Sequence, residues 1–92
     1  MKKPHTFKLV DGTFSPTDAR KILIELIQNK INFHSREIHM MEEHNEGNTS
    51  RHEKRIAQLR KSSETLKKVF LQADKKGMQL KLRGDIEITF LE

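Results

Sequence analysis

Ninety-two residues, 34% of them apolar, supply one domain with a modest core and leave too little for a second. The absence of Cys excludes a disulfide framework, a thiolate metal site and a cysteine nucleophile, and is compatible with a reducing compartment. A net charge of +5 favours anionic partners at long range, yet it also lies in the ordinary solubility range of a small domain.

Met1 to Lys3 looks like the charged start of a signal peptide, but no apolar run follows, and no segment has the length needed to cross a bilayer. The expectation is one α+β domain over residues 1–92, soluble and cytoplasmic. There is no Trp or Tyr, so five Phe must supply the aromatic contacts. A core this small predicts marginal stability unless a partner adds burial.

In chain order, Phe7 and Leu9 alternate with Thr6 and Lys8, and Val10 extends the apolar character, which predicts a strand over about 5–10. Asp11-Gly12 predicts a turn after it. Ser15-Pro16-Thr17-Asp18 is a helix start: Ser15 as N-cap, Pro16 at N1, Asp18 at N3, and Phe14 placed for a hydrophobic staple with Ala19 as a small counterpart. A helix from Pro16 to Gln28 or Asn29 would gather Ala19, Ile22, Leu23, Leu26 and Ile27 on one face and leave Ile24 off it, free to touch a neighbouring element or a second subunit.

Beyond Lys30 the pattern weakens. Ile31 and Phe33 alternate, which predicts a short strand at 31–34 followed by a polar connection; one or two helical turns within 35–43 are the alternative. Residues 45–49 read as a loop, and 43–49 as a flexible polar segment. His34, His39 and His44 recur at intervals of five, which gathers them on neither a helix nor a strand. His39 and Glu43 would meet at i,i+4 if the segment were helical, but HMMEEH lacks the HExxH spacing, and no metal site is expected.

Ser50-Arg51-His52-Glu53 is a capping box, and nothing breaks the run from there to Lys76, with Gly77 placed as the C′ residue. Such a rod is about 40 Å long, longer than a compact chain of this size is wide. Its apolar residues Ile56, Leu59, Leu66, Phe70 and Ala73, with Ser63 filling a slot, form a stripe expected to cover a small sheet, the alternative being a seam against a second copy. Lys54, Lys61, Lys68 and Lys75 trace the opposite, solvated side, Leu71 lies outside the stripe, and Glu64 is spaced to pair with Lys68.

Met78, Leu80 and Leu82 alternate, as do Ile86, Ile88 and Phe90. A hairpin across Arg83-Gly84-Asp85 is expected, over the alternative of one long bent strand with Gly84 at a bend or bulge. The fold class is therefore α+β: a small, mostly antiparallel sheet, made from the N-terminal strand and a C-terminal hairpin or bent strand, packed on two helices of which the second is long.

No nucleophile–base arrangement, phosphate loop or pair of apposed carboxylates stands in a supporting context, so no enzyme activity, cofactor or catalytic residue is expected. The sequence points to a small interaction or assembly module, a homodimer or a binder of a protein partner through the long helix, with Ile24 and Leu71 as interface residues and no membrane partner. The alternative is a low-specificity nucleic-acid or anionic-partner surface made by Lys54, Arg55, Arg60, Lys61, Lys67, Lys68, Lys75 and Lys76. No aromatic residue interleaves those cations, which disfavours base stacking, and the two helices are expected too far apart in the chain for a helix-turn-helix.

Overall fold

The computed structural model describes residues 3–92, so the charged start at Met1 and Lys2 lies outside them. The chain is a small α+β fold in which a two-stranded antiparallel sheet packs against two helices. The order is β1 (His5–Phe14), α1 (Pro16–Glu43), α2 (Ser50–Lys75) and β2 (Leu80–Ile88).

α1 starts as its cap dictates, with the Asp18 backbone N–H donating to Ser15 Oγ at 3.1 Å. It then passes without a break through 31–34, where a strand was expected, and through the whole of 35–43. The reason is a four-three spacing that His34 conceals: Ile27, Ile31, His34, Ile38 and Met41 share one helical face, and all five are buried or half-buried. An imidazole in an apolar slot made the pattern look like failed alternation. The helix ends at a Schellman turn built on an L-residue: Asn45 takes φ 52°, and the Glu46 N–H reaches the Met41 carbonyl at 2.9 Å.

Only residues 44–49 join the helices, so the long separation expected between them is absent. They form an antiparallel hairpin, with Pro16 beside Phe70 at one end and His34 against His52 towards the other. α2 is capped one residue earlier than the sequence suggests: Thr49 is the N-cap, its hydroxyl donates to Glu53 Oε1 at 3.0 Å, and Ser50 N–H donates to Asn48 Oδ1 at 2.9 Å. The stripe on α2 covers α1 and not the sheet, with Leu59, Phe70 and Ala73 buried and Ile56, Ser63 and Leu66 half-buried. Glu64 pairs with Lys67 at 3.5 Å, the i,i+3 neighbour, in place of Lys68.

Gly77 ends α2 at φ 63°, with Gly77 N–H on the Asp74 carbonyl and Met78 N–H on the Ala73 carbonyl. A Cβ there would meet nothing within 4 Å. Gly77→Ala is therefore expected to cost about 1 kcal/mol through backbone strain alone, read as a lower urea midpoint with an unchanged slope.

β2 is a single strand, so the hairpin across Arg83–Asp85 is not formed; the partner of β2 is β1. Asp11-Gly12 is likewise not a turn but part of β1, which runs on to Phe14. The register pairs Phe7 with Ile86, Val10 with Gly84, Gly12 with Leu82 and Phe14 with Leu80, and shifts between Lys8 and Val10. That shift makes Leu9 the extra residue of a bulge and moves the inward parity of β1 from odd to even positions. Because paired residues share a face, Phe7, Val10, Phe14, Leu80, Leu82, Ile86 and Ile88 all lie on one side of the sheet. The other side carries Lys8 opposite Asp85 and Asp11 opposite Arg83, a charge-balanced solvated surface. A Cβ at Gly84 would stand 3.3 Å from Val10 Cγ1 across the ladder, close enough that Val10 would have to shift by a few tenths of an ångström.

Candidate functional site

The helices seat the inner end of the sheet, and the outer end runs past them. Val10, Phe14, Leu80 and Leu82 are half-buried, whereas Phe7 is 50% exposed and Ile88 45% exposed. Beyond Ile88, the Phe90 ring meets the ring of His5 at a tilt, 5.5 Å between centres, and extends the same apolar side. Between β1 and α1 opens a cleft of 410 Å³ whose apolar lining is Leu9, Val10, Ile22 and Leu26. Along the flank of α1, Leu26, Phe33 and Met40 are exposed as well.

The buried side chains among the described residues are only Ala19, Ile31, Leu59, Phe70 and Ala73. Two of these are Ala, so the monomer has little to hold it. The molecule measures 51 × 36 × 14 Å with a radius of gyration of 16.8 Å, against about 12 Å for a compact chain of this length. Its accessible surface is 7768 Å², where a folded monomer of 10.8 kDa exposes about 5,500 Å². The excess is roughly 2,200 Å² per chain.

The residues expected at an interface sit apart from this side. Leu71 is 56% exposed beside the groove that Pro16, Thr17 and Arg20 form with Phe70 and Asp74. Ile24 is half-buried on α1. The eight basic residues do not converge. Lys54, Lys61, Lys68 and Lys75 run along the exposed back of α2, while Arg60 and Lys67 turn towards α1 beside Gln28 and Ile31, Arg55 lies on the opposite shoulder, and Lys76 is the exposed C-cap of the helix.

Arg55 takes part in a constellation that sequence reasoning missed. His34 Nδ1 and His52 Nδ1 lie 2.8 Å apart across the helix pair, so one ring donates and the other accepts, and both cannot be protonated on the shared nitrogens. His34 Nε2 is buried without a partner. The tautomer that donates from His34 Nδ1 leaves only a bare lone pair there, which costs less than a bare N–H. Lys30, Arg51 and Arg55 surround the two rings. The signal was the polar residue in an apolar slot at His34, legible only once α1 is carried past Lys30.

Desolvation, and then the positive charge of His52, Lys30 and Arg55, hold the His34 imidazole below its ordinary value of 6.5, against an upward pull from Glu37. The unfolded chain therefore binds this proton more tightly than the folded one. Stability is complete above about pH 6.5 and falls as pH drops through that value towards the lower folded one. The expected result is a urea midpoint that declines on acidification across this range, with the decline reduced in His34→Gln.

His39 and Glu43 meet at 3.3 Å on α1 as their spacing allows, both exposed. Among the described residues, no group of three or more His, Cys, Asp or Glu is placed to hold a metal ion, and no helix is long and apolar enough to cross a membrane. No family model, curated protein or solved structure matches the chain.

Proposed function

We propose that this protein is an assembly module that works as a homodimer, in which a second copy covers the apolar side of the sheet and the adjoining flank of α1. The observation that carries the reading is the surplus of roughly 2,200 Å² of exposed surface on a chain with so small a core. Obligate dimers bury about 1,000–2,500 Å² on each partner, which is the size of that surplus. A two-stranded ribbon also lacks independent stability until its apolar face is covered.

A cover on which folding depends must be present wherever the chain is made. The partner that always meets that condition is the chain itself. The apolar stripe of the long helix already lies against α1, so the sheet and the α1 flank supply the contact surface, with Leu71 and Ile24 outside it. Light scattering on the full chain at micromolar concentration tests the proposal. A mass of two chains supports it, and a folded species of 10.8 kDa at every concentration overturns it.

The competing reading is nucleic-acid binding along the back of α2, favoured by the exposed row Lys54, Lys61, Lys68 and Lys75. It predicts retention of a labelled duplex or single strand at low salt and release as salt rises. Failure to retain either at low ionic strength removes it.

A further inference from the structure

The two histidines and three cations at the α1–α2 crossing form a depression of 320 Å³ lined by Lys30, His34, Arg51, His52 and Arg55. From this geometry we infer a second site, which adjoins the proposed dimer surface at Phe33: a pocket for the phosphate group of a small phosphomonoester, held by Lys30, Arg51 and Arg55 with the histidine pair at its floor.

Three like charges gathered at one place repel one another, and no carboxylate forms an ion pair with any of them among the described residues. Glu37 on α1 is the acidic group near His34. Lys30 Nζ rests 5.4 Å from the centre of the Phe33 ring, and Arg55 is held by a 3.2 Å bond to Gln58 Oε1, so two of the cations are partly positioned beforehand. Arg51 and His52 belong to the first turn of α2, whose N–H groups and dipole add positive potential at the same spot. Two guanidinium forks beside an ammonium suit the several terminal oxygens of a phosphomonoester, which offers more of them than a phosphodiester does. The lysines on the back of α2 form an open row with no such convergence.

The histidines couple this site to pH. The cations around His34 disfavour its protonated form, and an anion among them removes that penalty. Binding therefore draws a proton onto the pair, breaks the contact between the two Nδ1 atoms and frees an N–H for an anion oxygen. Affinity rises as pH falls through the ordinary imidazole value of about 6.5.

The test follows the imidazole nitrogens of the full chain by NMR during titration with sodium sulfate, inorganic phosphate and a nucleoside monophosphate, each against sodium chloride of equal ionic strength. Sulfate stays a dianion throughout, so its pH dependence reports the protein alone. Expected are saturable shifts at His34 and His52 with all three oxyanions, tighter sulfate binding at the lower pH, and about tenfold weaker binding in each of Arg51→Gln and Arg55→Gln. Both arginines are exposed, so these variants keep the core. Equal shifts with chloride, or affinity unchanged in both variants, would overturn the site. No saturable shift with any of the three oxyanions would overturn it as well, and retention of an oligonucleotide in that case would favour the basic back of α2. The readout is at His34 and His52 of one chain, and repeating it in Ile88→Lys separates anion binding from any change in dimerisation.

Discussion

Phe70→Ala is expected to destabilise the protein by about 3–4 kcal/mol, the cost of removing a buried ring and leaving a cavity that its surroundings cannot close. Phe70 is 4% exposed and is the largest of the five buried side chains. It sits where the stripe of α2 meets the start of α1, beside Pro16. The same loss in a larger core would be absorbed in part by other layers. Here the remaining buried side chains are Ala19, Ile31, Leu59 and Ala73, and the loss is a large share of the total stability. Denaturant unfolding at fixed protein concentration should show a collapse of the midpoint, or no folded baseline. A loss below about 1 kcal/mol would mean that the helix pair is not the core of the fold.

Ile88→Lys separates the stability of the chain from that of the proposed dimer. Ile88 is 45% exposed near the outer end of β2, paired with His5, so a lysine there can reach water in a single chain and should disturb it little. In a dimer that buries this face, the ammonium would lie among apolar side chains with no partner. Dimer dissociation should then become at least a hundredfold easier, equivalent to about 2.7 kcal/mol. Sedimentation over a range of concentrations reads this directly. Dimerisation unchanged by the substitution would move the interface elsewhere, towards Leu71 or the back of α2.

What the sequence made legible follows from how local each signal is. The Ser15-Pro16-Asp18 start, the Gly77 stop and the unbroken run between Ser50 and Lys76 are decided by backbone groups a few residues apart, and the structure reproduces them to within a residue. The continuation of α1 through 31–43 was hidden because His34 occupies an apolar slot, and its value there depends on His52, which belongs to the other helix. The even parity of Leu80, Leu82, Ile86 and Ile88 was visible, but it fits a hairpin and a single strand equally. Pairing with β1 decides between them, and no local signal carries that. The bulge at Leu9 has the same character, since it reconciles Phe7 with Val10 on one face only when β2 is there to define the face. The basic residues were legible as a set, yet their division among the back and the two shoulders of α2 required knowing that α1 lies along it.

The most direct measurement is an isotope-filtered nuclear Overhauser experiment on a mixture of labelled and unlabelled chains. If two copies meet through the open side of the ribbon, cross-peaks between chains should connect Phe7, Ile86 and Ile88 with one another or with Leu26 and Phe33 on α1. Intermolecular peaks confined to the lysine side of α2, or none in a folded sample, would contradict it.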